Sequence, residues 1–397
     1  MARDVDPVRF RSIADTYKWA SLFLERVATC FGQDWLTQRL ARWSWNLSTC
    51  FTGVGCAEQA AISLQNAAAK YAPGCGVAIK SAIEIDKACQ DVLLSTYGPE
   101  HPGQCIFEDI TKIDLVHQRT CYCQRHHKMC ELQPQSGEGN MAEWLQGPVC
   151  IDYSMMGKRQ GQHGKYHQTH VSYFSNMKAS KNSILLIENV TEYEEALVKK
   201  ELGPAWTLVS TRMDPRCLGL PCSRARVFIV GWKVQEIRWT APFALSSFVG
   251  ALCSKVVMNA GDYYWMKSLP QTMLTPSAAD NLEAYKKMYP KFKYPDLTQS
   301  CKNGRARGET KDGCLPTLTT HTGQLYSQEM KRYLHPHEAL SSHCLPVTAK
   351  QAKISSSPKL ELEDACKTAQ IRFAGNAMSV PCVGAVLLCC ALALQKV

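Results

Sequence analysis

The chain lacks any internal repeat, which excludes solenoids and propellers. It also lacks a visible N-terminal signal peptide, because Asp4, Asp6, Arg9 and Arg11 break up its start. It has 20 cysteines, but its 397 residues are too many for a disulfide-stapled mini-domain. Free thiols in a reducing compartment are therefore expected. Long apolar runs are scarce too. The run from Ala377 to Leu394 barely reaches spanning length and is interrupted by Ser379, Pro381 and Gly384, so it reads as a buried helix, with no membrane partner. What the chain does have is 45% hydrophobic residues, enough for a large core and two lobes, and a formal net charge of +10, which suits a polyanionic partner such as nucleic acid.

The most informative stretch is Gly147-Pro148-Val149-Cys150-Ile151-Asp152-Tyr153-Ser154, followed by Gly157-Lys158-Arg159-Gln160-Gly161. A turn-prone apolar run delivers one cysteine to a loop rich in glycine and cations. A thiolate is a strong nucleophile, and neighbouring cations favour its formation. Lys158 and Arg159 supply such a field and can also hold a phosphate. The plainer reading is a buried cysteine at a strand end.

Phe10, Ile13, Tyr17, Leu24, Val27 and Phe31 recur at roughly helical spacing until Gly32, and a second helix is expected over Trp35 to Trp43. This N-terminal piece is expected to pack against the main domain. Leu47 to Phe51 reads as a short buried strand that runs into Thr52-Gly53-Val54-Gly55-Cys56 and then a helix over 57–69. Strand, glycine turn and helix let backbone N–H groups approach a ligand. The next strand, Val77 to Ile85, carries Glu84 near its end, where an acidic side chain can hold ribose hydroxyls. A helix from Lys87 and a third strand, Cys105 to Phe107, lead to Asp109-Ile110, again at a strand's carboxyl end.

Residues 117–130 contain Cys121, Cys123, His126, His127 and Cys130, which are zinc-ligand types. The first pair is spaced more tightly than usual, so the segment reads as a solvated basic insertion and no metal is assigned. After the Cys150 stretch, 159–170 reads as a mobile basic loop, and a helix follows to about Ala179. Ser183 to Ile187 is a strongly apolar strand ending in Glu188-Asn189-Val190, whose carboxylate can hydrogen-bond a flat heterocycle. A helix over 191–201 and strands over 206–212 and 226–232 complete the alternation. Arg224 and Arg226 share one face at strand spacing and suit phosphate or carboxylate contacts. From Trp232 to Asp312 the alternation stops, and 12 Lys/Arg stand against 7 Asp/Glu. Lys291 and Lys293 alternate with aromatics, and Arg305 and Arg307 lie in a Gly- and Arg-rich loop. Such a segment suits nucleic-acid contacts.

Taken in order, these residues resemble the cytosine-5 nucleic-acid methyltransferase family over about Leu47 to Leu394. Phe51-Thr52-Gly53-Val54-Gly55 resembles its methyl-donor loop. Glu84 and Asp109-Ile110 fall where that family binds the ribose and adenine of S-adenosylmethionine. Pro148-Val149-Cys150 resembles its nucleophile motif, and Glu188-Asn189-Val190 matches its Glu-Asn-Val signature. Cys222-x-Arg224-x-Arg226 is similar to its arginine motif, and Gly375-Asn376-Ala377 to the closing motif of its donor pocket. The departures are Val149 for a second proline, Ile151 for a glutamine, Cys222 for a glutamine, and about 40 residues between Asp109 and Cys150.

The resemblance implies an α/β fold, a doubly wound Rossmann-like sheet with a small, irregular, basic target-recognition domain. It divides the chain into an N-terminal helical extension (1–46), a catalytic domain (47–232, with 117–140 inserted), a recognition domain (233–312) and a C-terminal segment completing the catalytic domain (313–397). It implies S-adenosylmethionine as methyl donor, held by Phe51, Gly53, Gly55, Glu84, Asp109, Ile110 and Asn376. Catalysis would rest on Cys150, Glu188, Arg224 and Arg226. Nucleic-acid contacts would come from Lys158, Arg159, Lys291, Lys293, Arg305 and Arg307. The partner would be double-stranded DNA with a flipped cytosine; tRNA, or binding without catalysis, are the alternatives. The expected location is intracellular: the nucleus of a eukaryote, otherwise the cytoplasm.

Overall fold

A computed structural model describes residues 10–98, 104–132, 141–146 (backbone only), 163–164, 167–180, 182–304, 306–320 and 325–397. Its centre is a seven-stranded sheet of β1 (Ser44–Cys50), β2 (Gly76–Ile83), β3 (Cys105–Phe107), β6 (Met141–Gln146), β7 (Ile184–Asn189), β8 (Trp206–Met213) and β9 (Arg226–Lys233), in the order β3-β2-β1-β6-β7-β9-β8. The first five are mutually parallel, and β9 runs antiparallel to both of its neighbours. A short hairpin, β4 (Thr120–Cys123) and β5 (Lys128–Glu131), stands apart from this sheet.

Parallel neighbours need crossovers, and helices supply them. The helix α4 (Cys56–Ala68) joins β1 to β2, α5 (Lys87–Thr96) joins β2 to β3, α6 (His167–Ala179) precedes β7, and α7 (Glu195–Leu202) joins β7 to β8. Three N-terminal helices come before them: α1 (Ile13–Thr16), α2 (Trp19–Phe31) and α3 (Gln33–Leu40). The later helices are α8 (Leu245–Leu252), α9 (Pro276–Met288), α10 (Pro336–Ser341), α11 (Ala349–Ser355), α12 (Lys367–Asn376) and α13 (Val380–Ala393).

Both faces of the sheet are covered, which is why its central strands read as continuous apolar runs rather than alternating ones. Ile184, Leu186, Phe228 and Val230 join one cluster with Trp19, Ala57, Leu64, Phe373 and Leu387. The intervening Leu185, Ile187, Val227 and Ile229 join a second cluster with Tyr173, Phe174, Met177, Val198 and Leu202. Every residue of α13 is buried. The apolar run near the C-terminus is thus the central helix of the larger core, as expected. Gly384 permits this packing: a Cβ there would sit 2.0 Å from the indole of Trp19. The N-terminal helices pack as expected, with the Tyr17 hydroxyl also donating to the Leu345 carbonyl at 3.0 Å.

Three local expectations change. The expected first helix breaks at Tyr17–Lys18 into α1 and α2. Residues 120–131 of the expected solvated insertion form a hairpin, exposed or half-buried except for the fully buried Cys123. The stretch expected to be lobe-like from 233 onward divides: Leu245, Phe248, Val249, Leu252, Tyr263 and Tyr264 belong to the main core, whereas Ala278, Leu282, Tyr285, Leu297, Cys301 and Tyr326 form a small cluster of their own.

Candidate functional site

The order β3-β2-β1-β6-β7 reverses direction beside β1, so the carboxyl edge between β1 and β6 is a topological switch point, where open α/β sheets bind ligands. Cys50, the last residue of β1, is paired with Gln146 of β6, and Gln146 with Ile187 of β7. The carboxyl ends of β1, β2, β3 and β7 therefore open on one edge; the loops after the first three carry Phe51–Gly55, Glu84 and Asp109, and Glu188–Asn189 are the last two residues of β7. Cys150 follows Gln146 by four residues in the chain, and the stretch from 147 to 162, with Lys158 and Arg159, lies outside the described residues.

On the β1–β2 side, the turn after β1 is built on left-handed backbone. Phe51, Gly53 and Gly55 have φ of 55°, 58° and 89°. Glycine adopts this region freely and phenylalanine rarely does. At Gly55 a Cβ would meet the Tyr97 hydroxyl oxygen at 2.7 Å, and that hydroxyl donates to the Gly55 carbonyl at 3.1 Å. At Gly53 the space is open, with nothing within 4 Å of where a Cβ would stand. The Gly53 N–H donates to Glu84 Oε2 at 2.7 Å, and the Asp86 N–H donates to Glu84 Oε1 at 2.9 Å. Each carboxylate oxygen keeps acceptor capacity for a hydroxyl. Burial raises the pKa of Glu84. Asp109 caps the turn that begins at Ile110, with its Oδ1 accepting from the Thr111 N–H at 2.9 Å.

Sequence reading missed Glu58. It is fully buried in the first turn of α4, and it accepts hydroxyl hydrogen bonds from Thr49 and Thr52, both at 2.6 Å. One carboxyl thus fastens the glycine turn to β1. Its pKa is raised, with desolvation the largest cause. The available signal was an acidic residue three places after Gly55, in an otherwise apolar helix start.

A clamp from the C-terminal segment was also missed. Arg372 on α12 pairs with Asp86 at 2.7 Å. Gly375 lies so close to the Thr319–Thr320 backbone that a Cβ would stand 2.2 Å from Thr320 N. Asn376, at the end of α12, is exposed.

On the other side, Glu188 is the penultimate residue of β7, with 6% of its surface exposed. Arg226 Nε lies 3.3 Å from its Oε1, an ion pair, yet that buried oxygen accepts no aligned hydrogen bond from the described residues. Arg224 plays a different part. It is buried, and its guanidinium donates to the carbonyls of Gly375 at 3.3 Å and Leu318 at 3.4 Å. The two arginines share a motif but divide their work, one on a carboxylate and one on the backbone of the closing motif.

In the basic segment, Lys291 and Lys293 are exposed. Arg307 is not free for a phosphate, because it donates to the Thr317 carbonyl and faces buried Asp296. The aromatics between the lysines point inward: Tyr289 stacks on Phe292 at 5.6 Å, and Tyr294 on Tyr264 at 5.1 Å. Arg305 lies outside the described residues.

Sequence comparison with protein-family models and with curated proteins gives no match. Among solved structures, the chain is similar to the S. pombe Dnmt2 methyltransferase, with a TM-score of 0.53 and 13% identity over 87% of this chain and 97% of that one. It is likewise similar to the Entamoeba histolytica methyltransferase EhMeth, with a TM-score of 0.52 and 14% identity over 88% and 98% of the two chains. At such identities the likeness is one of fold, and the α/β fold implied by the motifs is the one these two methyltransferases share with this chain.

Proposed function

We propose that this chain transfers a methyl group from S-adenosylmethionine to C5 of a cytosine flipped out of duplex DNA, through a covalent adduct with Cys150. The observation that carries the reading is the buried Glu188–Arg226 pair at the carboxyl end of β7. It stands beside the strand that leads into Cys150, across the switch point from the glycine turn. The open space over Gly53 and the spare acceptor capacity of Glu84 fit a nucleoside donor. Gly53, Gly55, Glu84 and Asp109 would hold it, with Phe51, Ile110 and Asn376 at its borders. When bound, the donor supplies an electrophilic methyl group on a sulfonium.

The chain's own residues supply the rest. Cytosine C5 is a weak nucleophile. Addition of the Cys150 thiolate to C6 forms a C–S bond and pushes the ring electron pair toward C5. Glu188 hydrogen-bonds N3 and the exocyclic amine, favouring the adduct. Arg226 keeps Glu188 in place, and Arg224 holds the closing segment against the donor pocket. After C5 is methylated its proton leaves, the C–S bond breaks, and aromaticity and the thiolate return. A base reaches such a pocket only when flipped, at a cost of a few kcal/mol. The exposed Lys291 and Lys293, with Lys158 and Arg159, would contact phosphates.

The test is trapping on 5-fluorocytosine. Fluorine stands where the proton must leave, so elimination stalls. Enzyme and duplex DNA should migrate together through denaturing electrophoresis only with S-adenosylmethionine present, and Cys150→Ser should abolish both adduct and turnover. Trapping on tRNA and not on DNA would move the substrate to RNA. Tight binding with neither transfer nor trapping would make the chain a binding protein without this chemistry.

A further inference from the structure

Outside the proposed methyl-transfer site, four ligand-type side chains from three elements meet at one point. Cys105 opens β3, Cys123 ends β4, His126 lies in the hairpin turn, and Cys130 lies on β5. Their Sγ and ring-nitrogen atoms all fall within 4.8 Å of one another. His126 Nδ1 is 3.6 Å from Cys105 Sγ, 3.3 Å from Cys123 Sγ and 3.4 Å from Cys130 Sγ. We propose that Cys105, Cys123, His126 and Cys130 bind one zinc ion that fastens the β4–β5 hairpin to the edge strand β3.

Hydrogen bonding alone does not account for this convergence. An imidazole nitrogen offers either one N–H or one lone pair, so Nδ1 serves one thiol and not three. A tetrahedral zinc ion does account for it. With Zn–S of about 2.3 Å and Zn–N of about 2.0–2.1 Å, the sulfur-to-nitrogen edge of the tetrahedron is ~3.6 Å. Three thiolates and one imidazole around a single centre are a structural zinc set, whereas iron–sulfur clusters ordinarily take four cysteines. The Ile106 N–H donates to Cys123 Sγ at 3.4 Å, a contact suited to a sulfur carrying negative charge. Three thiolates and Zn2+ leave one net negative charge, and Arg125 is held close by, donating to the Tyr97 and Gly98 carbonyls at 2.9 and 3.3 Å.

The hairpin needs such a fastening. Its strands have four residues each, and a two-stranded hairpin of that size is at best marginal alone. Tyr122 and Met129, cross-strand partners, are 47% and 58% exposed, so they add little core. One backbone bond, from Gln124 N–H to the Ile106 carbonyl at 2.8 Å, joins the turn to β3. Zinc would add a link across this junction and cover an otherwise open sheet edge. By residue type the sequence also offered Cys121, but Cys121 is not among the four converging side chains. It therefore serves as the control.

The test is metal content of the full-length chain, purified reduced and without chelator. Wild type and Cys121→Ser should each carry about one zinc per chain, while Cys105→Ser and Cys123→Ser should carry almost none. Cys105 is the discriminating position because it lies outside the hairpin. Should those variants fail to fold, X-ray absorption at the zinc edge of the wild type decides, with three sulfurs and one nitrogen expected. Metal-stripped, reduced wild type should also take up one equivalent of cobalt with a tetrahedral thiolate spectrum. Zinc-free wild type that binds no cobalt, zinc retained in Cys105→Ser, a shell with fewer than three sulfurs, or a disulfide among these cysteines would overturn the proposal.

Discussion

The two halves of the switch-point edge are held in different ways. On the side proposed to hold the donor, the carboxylates are paired. Glu84 accepts two backbone N–H groups, Glu58 accepts two threonine hydroxyls, and Asp86 pairs with Arg372. On the base side Glu188 has an ion-pair partner, but its buried Oε1 lacks an aligned hydrogen bond among the described residues. Buried polar atoms are normally satisfied, so an under-satisfied one points to a missing partner. On the proposed function, the flipped base supplies that partner, and the donor pocket is preformed. Changes on the base side should therefore fall on the chemical step, and changes on the donor side on binding.

The largest expected effect is on the base side. Arg226→Met leaves Glu188 as a buried carboxylate without its cation, a change that typically costs about 3–5 kcal/mol of stability. Glu188→Gln removes the charge from the other partner. It should slow trapping on 5-fluorocytosine by about 100-fold or more, in line with loss of a general acid–base or hydrogen-bonding contribution, while donor affinity stays within about twofold of wild type on calorimetry. A donor affinity that falls as far as the trapping rate would erase the distinction between the halves.

A smaller effect belongs to Glu84. Glu84→Ala should weaken S-adenosylmethionine binding by about 1–3 kcal/mol, the usual range for a lost charged hydrogen bond. Saturating donor should restore most of the trapping rate. Unchanged affinity in a folded variant would remove Glu84 from the pocket, and a defect that donor cannot rescue would assign it to the chemistry.

The sequence made the sheet legible because its strands are buried on both faces, as in Ile184-Leu185-Leu186-Ile187, and the helices between them keep helical spacing. It made Glu84 and Glu188 legible because each ends such a run. Strand β6 was not found: Met141-Ala142-Glu143-Trp144-Leu145-Gln146 mixes polar and apolar residues next to a polar loop. The aromatics at 289–294 suggested nucleic-acid contacts, yet they stack on one another and on Tyr264, because an aromatic beside a lysine has the same letters whichever way it faces. Arg307 was misread for the same reason. The role of Arg224 needed tertiary structure, since Gly375 is 151 residues away in sequence. Cys105 was read only as a strand residue, because its partners lie across a fold that spacing does not reveal.

The smallest expected effect concerns Glu58 and separates its role in holding the glycine turn from any role in charge. Its folded-state pKa lies above 4.5, chiefly because burial disfavours the carboxylate, while the Thr49 and Thr52 hydroxyls partly offset this. A carboxyl whose pKa is raised on folding binds its proton more tightly in the native state. Its contribution to stability is therefore complete below the unfolded-state pKa, at about 4.3, and is lost as pH rises through the folded value. Glu58→Gln keeps the shape and cannot ionise, and it keeps one acceptor while its amide NH2 donates to the other threonine hydroxyl. The variant should thus gain on wild type as pH rises from about 4 to 7, by about 1.4 kcal/mol for each unit by which the folded pKa is raised. Urea unfolding of both proteins across that range measures the difference directly. A difference that does not change with pH would mean that Glu58 titrates at its ordinary value, and that the two threonines stabilise a charged carboxylate in the core.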